Sequence, residues 1–320
     1  MARPGIGKFL PLHHGHVALI HFAASHCKEL IVSMSYTETD PIDASIRFDW
    51  IKETFRDMPA IKPVMVRDDF DDPSLPFMDR MQLWATGIGE RYPGIDVIIS
   101  SEEYGAAVAS LLGIAHISFD PERTQVPVSA SRIRSNPYQH WQYIPAAVRP
   151  YYVKRVCLYG PESTGKSTLA QWLAVCFDTE FVPEVAREMI SSNEFTLEDI
   201  ERIGHAQTMR VLSKTKTANK ILFCDTDVIT TQIYSRHYLH AVPDVLYTLE
   251  KQVHYHHYFL FDVDVPWVAD GLRDLGNRRK DMFDAFRNEL VSRNISFTLV
   301  TGDYAEREKV VIQVCRQLLS

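Results

Sequence analysis

The chain has 320 residues, 46% of them hydrophobic and 23% charged, with a formal net charge of −7. That size and balance suit a soluble globular protein of two ordinary domains. The acidic excess argues against a general nucleic-acid binder, no apolar run approaches membrane-spanning length, and the first eight residues lack the apolar core of a signal peptide.

The five cysteines are scattered and odd in number, without a C-x-x-C pair. Buried thiols in a reducing, cytoplasmic compartment are the expectation.

Short apolar runs alternate with longer amphipathic ones, which predicts an α/β chain of two parallel-sheet domains. In the first half, strands are expected over 5–10, 30–35, 61–66, 96–100 and 116–119, and helices over 15–27, 45–58, 78–91 and 103–112. The acidic stretch 68–73 reads as a loop, more simply a solvated turn than a working one. Two prolines in 144–150 interrupt helix continuation, so the seam is placed there, with domains over 1–147 and 152–320. In the second half, strands are expected over 153–159, 180–182, 221–224, 256–261 and 296–300. Helices are expected over 166–177, 197–217, 278–293 and 305–319. His254-Tyr-His256-His257 reads as the entry to a strand.

The run Gly160-Pro-Glu162-Ser163-Thr164-Gly165-Lys166-Ser167 matches G-x-x-x-x-G-K-[ST] without a gap. Lying between an apolar strand and a helix, it points successive backbone N–H groups and a helix N-terminus at one spot, where phosphate binds. Lys166 would reach the β/γ-phosphates, the Ser167 hydroxyl would ligate Mg²⁺, and Thr168 follows in the first turn. Asp225 ends an apolar run, so it belongs at a strand's carboxyl end beside this loop. There it can hold Mg²⁺ through water or accept a hydroxyl proton, and Asp227 lies two residues on. The bland alternative for the pair is an Asp-rich turn. Glu184 and Arg187 suit substrate binding or an ordinary helix start.

The first half carries Gly7-Lys8-Phe9-Leu10-Pro11-Leu12-His13-His14-Gly15-His16. His13 and His16 straddle a helix start, and imidazole N–H groups beside helix amides make a donor cluster for a phosphate chain. Zinc binding and simple helix capping are the alternatives. Far downstream, the run from Val128 to Pro137 brings Ser129, Ser131, Arg132 and Arg134 to the opening of a helix. Their hydroxyl and guanidinium groups again suit phosphate, or a capped surface helix.

These two segments resemble the nucleotidylyltransferase superfamily, with its G-K-F-x-P-x-H-x-G-H motif and its later I-S-x-[ST]-x-I-R element. Val128 replaces Ile and Ser131 replaces Thr in the second. Joined to a phosphate-loop kinase half, the chain is similar to the NadR family nearly end to end. The likeness includes Asp120-Pro-Glu-Arg-Thr-Gln-Val-Pro-Val-Ser, Val185-Ala-Arg-Glu188, Asp225-Thr-Asp227 and Trp267-Val-Ala-Asp-Gly-Leu-Arg273.

The resemblance implies a Rossmann-like nucleotidylyltransferase domain followed by a P-loop nucleoside kinase domain. The second would phosphorylate nicotinamide riboside with ATP, and the first would adenylylate the resulting mononucleotide, NMN, to NAD and pyrophosphate. His13 and His16 would face the ATP phosphates and Arg134 their β/γ end, with Ser129, Ser131, Lys8 and Phe9 assisting. Trp84 would stack on nicotinamide, unless it is a core aromatic of its amphipathic helix. In the kinase half, Trp267, Asp270 and Arg273 would form the nucleoside-binding segment. Arg278 and its neighbours would form a basic lid over the triphosphate, unless that run is only a solvated face. Mg²⁺ is the implied metal, held through phosphates and water.

Some members carry an N-terminal helix-turn-helix domain. This chain starts at the strand before the histidine motif, so neither that domain nor DNA binding is expected. No membrane partner is expected, and a homo-oligomer stays open. Two rival functions also stay open: an adenylyltransferase for another cofactor precursor fused to a different nucleoside kinase, and a nucleotide-gated regulator.

Overall fold

The computed structural model describes residues 2–68, 71–72, 74–192, 194–268 and 274–320. The chain divides into two compact units, Met1–Arg149 and Pro150–Ser320.

In the first unit, β1 (Ala2–Gly7), β2 (Glu29–Tyr36) and β3 (Ile61–Arg67) pair in parallel, with β2 in the middle. A parallel pair, β4 (Val97–Ser100) and β5 (Ala115–Ser118), continues the layer where β4 runs beside β1. The order 3-2-1-4-5 reverses direction between β1 and β4, and ligands of open parallel sheets bind beyond the strand ends at such a point. Helices α1 (His14–Ser25), α2 (Ala44–Thr54), α3 (Phe77–Arg91) and α4 (Glu103–Leu112) make the crossovers, and short α5 (Ala130–Ser135) follows; the one-turn α6 (Arg149–Tyr152) straddles the boundary between the units.

In the second unit, β6 (Lys154–Tyr159), β7 (Phe181–Val182), β8 (Ile221–Asp225), β9 (His257–Phe261) and β10 (Phe297–Val300) form one parallel sheet in the order β10-β9-β6-β8-β7. β8 is buried throughout, and β6 and β9 are buried after their first residues. Helices cover both faces of such a sheet, which is why these strands read as nearly unbroken apolar runs. The helices are α7 (Lys166–Cys176), α8 (Ala186–Met189), α9 (Leu197–Thr215), α10 (Val228–Leu239), α11 (Asp244–Glu250), α12 (Arg279–Ser292) and α13 (Tyr304–Leu318). α7 and α13 close one core with Val156, Phe223 and Phe261; α10 and α12 close the other with Tyr159, Leu260 and Phe286.

Three expectations shift. The first strand ends at Gly7 rather than residue 10, because Phe9 leaves the extended path with φ +47°. The second helix stops at Thr54 rather than residue 58, ahead of Pro59, which disfavours helical backbone in the residue before it. The segment 228–250, left unassigned from sequence, holds α10 and α11; Asp227 caps the first, accepting from the Thr230 N–H. Among the described residues no helix is long and apolar enough to cross a membrane.

Candidate active sites, one in each unit

The first unit's site grows from the turn after β1. Phe9 is buried in its left-handed conformation, a backbone state that a non-glycine residue keeps only where its surroundings enforce it. Its ring meets His16 edge-on, 4.9 Å between centroids. His13 is the N-cap of α1: its Nδ1 accepts the His16 backbone N–H at 3.3 Å. Since Nδ1 accepts, the neutral ring carries its proton on Nε2, which is then a donor. Burial, then the positive charge of Arg123 and His14, lowers His13 to about 4. Burial, then His13 and Arg123, holds His16 well below the ordinary histidine value. Both rings are therefore neutral at pH 7. Gly15 is required sterically, since a Cβ there would stand 2.9 Å from His13 Cε1.

The downstream run meets this turn from 124 residues away, where Arg134 Nη1 donates to the Leu10 carbonyl. Arg134 Nη2 also donates to Ser131 Oγ at 3.3 Å. Arg134 was expected to open its helix; it lies instead in the last turn of α5, because Ser129 caps that helix by accepting from the Arg132 N–H. Lys8 Nζ stands 3.9 Å from both Asp40 and Asp68. Burial raises Asp68, and Asp71 forms a two-pronged pair with Arg80 at 2.9 and 2.8 Å, so the acidic stretch is not simply a solvated turn. Its residues 69, 70 and 73 lie outside the described set. Trp84 sits in the apolar cluster of α3, α4 and β4, edge-on to Tyr104 at 5.4 Å, the packing of a core aromatic. Among the described residues no three of His, Cys, Asp and Glu form a metal-holding group, so the zinc alternative has no ligand set there.

Arg123 and Arg47 escape the sequence reading. Fully buried Arg47 donates to the carbonyls of Lys8 at 2.6 Å and Ile42 at 3.0 Å, and to Asp40 Oδ2 at 2.7 Å, fixing the loops after β1 and β2. Its position on the inward face of α2 with Trp50 and Ile51 was the available signal.

In the second unit, the phosphate loop leaves β6, the middle strand. Gly160 has φ +137°, and a Cβ there would lie 2.9 Å from the Phe261 carbonyl of neighbouring β9. Buried Lys166 donates from Nζ across the loop to the Pro161 carbonyl at 2.6 Å, and Thr164 Oγ1 donates to the same carbonyl at 2.9 Å. Burial lowers the Lys166 ammonium from its ordinary value, against the pull of Asp225 and Glu184. Asp225 ends β8 as expected. Burial, then Glu184, raises its carboxyl to about 6, while Lys166 and a hydrogen bond from Ser167 oppose the rise. Among the described residues, buried Asp225 Oδ1 has no hydrogen-bond partner.

Asp227, paired with Asp225 in the sequence as a candidate for the metal, the hydroxyl proton or the substrate, is occupied elsewhere. Its Oδ1 accepts from the Thr230 N–H at 2.9 Å and hydroxyl at 3.0 Å, and its Oδ2 from Tyr258 at 2.9 Å. It is a buried helix cap, raised to about 6 by burial.

A cleft opens beside the loop. Lys166, Ser167 and Thr168 line one end, the Glu184–Arg187 pair (2.8 Å) one wall, and Ile190, Phe195, Ile200 and Ile203 an apolar side. Tyr234 and Tyr238, one turn apart on α10, complete it and were not anticipated, because that helix was not. Gln207 also lines it, its Oε1 accepting the Val185 N–H at 3.1 Å. Trp267 is half-buried beneath the Arg279 guanidinium, 5.7 Å from its ring. Arg278, expected over the triphosphate, is exposed and pairs with Asp281 at 3.4 Å; it is Arg279 that touches the loop, donating to the Ser163 carbonyl at 3.2 Å. Asp270 and Arg273 lie outside the described residues.

Arg307 was also missed. Almost fully buried on α13, it donates to the Thr164 carbonyl of the phosphate loop at 2.6 Å, to the Gly302 carbonyl at 2.9 Å and to Asp264. Its signal was a charge on the same stripe as Val311 and Cys315.

Residues 155–307 match a family described as an AAA domain. Over 98% of its length the chain is 33% identical to the trifunctional NAD biosynthesis/regulator protein NadR of Escherichia coli (strain K12), covering 82% of that protein. A crystal structure of NadR protein in complex with NR has the same fold, with a TM-score of 0.82, 22% identity and coverage of 100% of this chain and 96% of that one. Another, of NadR protein in complex with NAD and AMP-PNP, gives 0.81 and 23% over 99% and 96%.

Proposed function

The chain belongs to the NadR family, and from that premise we infer that it is a bifunctional NAD biosynthesis enzyme. Its C-terminal unit is a ribosylnicotinamide kinase and its N-terminal unit a nicotinamide-nucleotide adenylyltransferase. The observation that carries this reading is the presence of a phosphate-directed helix start in each unit: neutral imidazoles at α1, and the Lys166 loop beside an open carboxylate at α7.

In the kinase unit, the ribose 5′-hydroxyl oxygen attacks the γ-phosphorus of ATP, the bond to the β-phosphate oxygen breaks, and ADP leaves. Asp225 takes the hydroxyl proton, a task that suits a carboxyl near 6. Lys166 exchanges the Pro161 carbonyl for β/γ-phosphate oxygens. Ser167 and the unpartnered Asp225 Oδ1 fit Mg²⁺, a hard cation that takes oxygen donors. That cation neutralises phosphate charge when bound. The apolar wall with Tyr234 and Tyr238 receives the nicotinamide ring, and Glu184 and Arg187 the ribose.

In the adenylyltransferase unit, an NMN phosphate oxygen attacks the α-phosphorus of ATP and pyrophosphate leaves. No proton has to be removed, so positioning and charge stabilisation suffice. His13 Nε2 and His16 donate to the triphosphate, and Arg134, Ser129, Ser131 and Lys8 support its far end. Phe9 acts through His16, as its support.

The test is a coupled assay with nicotinamide riboside, ATP and Mg²⁺. NMN is expected first and then NAD. Lys166→Ala is expected to abolish only the first step and His16→Ala only the second. If the purified chain phosphorylates another nucleoside well and nicotinamide riboside not at all, the assignment is wrong.

A further inference from the structure

The phosphate loop borders two cavities. Besides the cleft, a shallow hollow lies beside the first turns of α7, lined by Thr168, Trp172, Phe261, Tyr304 and Glu308. The two share Thr164, Gly165 and Thr168, so a triphosphate whose γ end meets Lys166 can carry its base into the hollow. Trp172 is 38% exposed and Tyr304 57%, two large rings left open to solvent. The Tyr304 ring lies against the loop itself: a Cβ on Gly165 would stand 3.0 Å from its Cε1. The polar groups around the hollow are committed elsewhere. Arg307 donates to the carbonyls of Thr164 at 2.6 Å, Gly302 at 2.9 Å and Asp262 at 3.1 Å. The Gly302 N–H donates to Asp264 at 2.6 Å and the Asp303 N–H to Glu306 at 2.9 Å. Thr168 is exposed and Glu308 half-buried, so water reaches both. Among the described residues, none of the buried side-chain atoms that lack a hydrogen-bond partner lines the hollow, whereas Gln207 on the cleft carries one, Nε2.

We propose that this hollow seats the base of the phosphate donor by stacking on Tyr304 and Trp172, and that the kinase unit therefore accepts nucleoside triphosphates with little regard to which base they carry. This rests on the kinase reading above and adds the class of the donor to it. Stacking on an aromatic side chain tolerates any base, because every base has a π-face. Rejection by about 10⁴–10⁵ needs buried polar groups that the wrong ligand leaves unpaired. Among the described residues the hollow presents none. The two substrates are thus read unequally, the donor by its triphosphate and the acceptor by its ring and ribose.

The experiment measures NMN formation from nicotinamide riboside with ATP, GTP, CTP and UTP in turn, each with Mg²⁺. The full chain carries His16→Ala in all samples, so that only the kinase unit reports. The four kcat/KM values are expected to lie within about 100-fold of one another, purines ahead of pyrimidines because they stack over more area. Tyr304→Ala and Trp172→Ala remove exposed rings, and each is expected to raise KM for all four donors roughly tenfold, the scale of one lost base–ring contact. KM for the riboside and kcat are expected to stay within about twofold, since neither ring faces the acceptor or the reacting phosphate. Tyr304→Phe keeps the ring and is expected to keep the parent KM. One donor favoured by more than about 100-fold, or a KM rise confined to ATP, means that hydrogen bonds read the base, and overturns the proposal. Donor KM values that neither alanine variant moves put the base elsewhere and overturn it too. In those cases phosphorylation of the riboside by ATP leaves the kinase reading standing. A chain that phosphorylates the riboside with no donor overturns both.

Discussion

The imidazoles of His13 and His16 stack with centroids 3.7 Å apart and planes 20° from parallel, while His13 Nδ1 caps the backbone N–H of His16. Two positive rings could not share that arrangement. Stacking and capping both require neutral histidine, and capping also fixes where the His13 proton resides.

The tautomer is directly testable. Nitrogen NMR of the nucleotide-free chain is expected to show His13 protonated at Nε2 and titrating near 4. The unfolded histidine binds its proton near 6.5, so the His13 contribution to stability is complete above that pH and lost as pH falls through about 4. An ordinary midpoint for His13 would contradict the stacked geometry.

Gly15→Ala probes the same pair sterically. The added methyl must displace the His13 ring, 2.9 Å from its Cβ. Adenylyl transfer is expected to fall on the order of 100-fold, the scale of losing one charge-stabilising donor, with riboside phosphorylation unchanged. Equal loss of both activities would point to unfolding instead.

Asp225 predicts the acid limb of the kinase. Burial raises its carboxyl to about 6 without metal, and bound Mg²⁺ lowers it, so the fall of the kinase rate with acid is expected to set in below that value. Asp225→Asn is expected to cost roughly 10²–10⁴ in rate, the range for losing a general base. Asp227 shares the raised value but points at Thr230 and Tyr258, so Asp227→Asn is expected to lower the thermal midpoint and leave the rate midpoint where it was. Because both carboxyls are raised, the folded chain holds more protons than the unfolded one between about pH 4 and 6. Their contribution therefore favours the fold at the acid end and is lost as pH rises through 6.

Trp84 separates two meanings of one side chain. If its indole serves nicotinamide, Trp84→Ala raises KM for NMN far more than KM for ATP in adenylyl transfer. If it serves only the α3–α4 cluster with Tyr104, both constants stay level and the thermal midpoint falls. Kinetics and melting on the same preparation decide.

Arg307→Ala strips one partner from a buried network and leaves the Thr164 carbonyl unmet. Leaving a buried acceptor without its donor costs about 1–3 kcal/mol. A lower melting midpoint and weaker ATP use by the kinase are expected together, with adenylyl transfer retained.

Residues with a local signature were legible. The phosphate loop, the histidine turn and Asp225 at a strand end are each defined by spacing a few residues wide. What escaped depends on partners far along the chain. Arg134 looked like part of a helix start because its bond to Leu10 spans 124 positions. Arg47 and Arg307 are charges on inward helix faces, and nothing nearby in sequence reveals the carbonyls they meet. Asp227 was ambiguous because capping and substrate binding use the same carboxylate beside the same strand end. Tyr234 and Tyr238 were missed with α10, whose tyrosines, threonines and arginine give no clean amphipathic stripe.

The contact between Arg307 and Thr164 spans 143 residues. During synthesis the ribosome delivers every residue of the glycine-rich turn long before the guanidinium that steadies it. A nascent or clipped polypeptide ending ahead of α13 would carry the full signature in its sequence and still grip nucleotide poorly, so maturation of that pocket waits on α13.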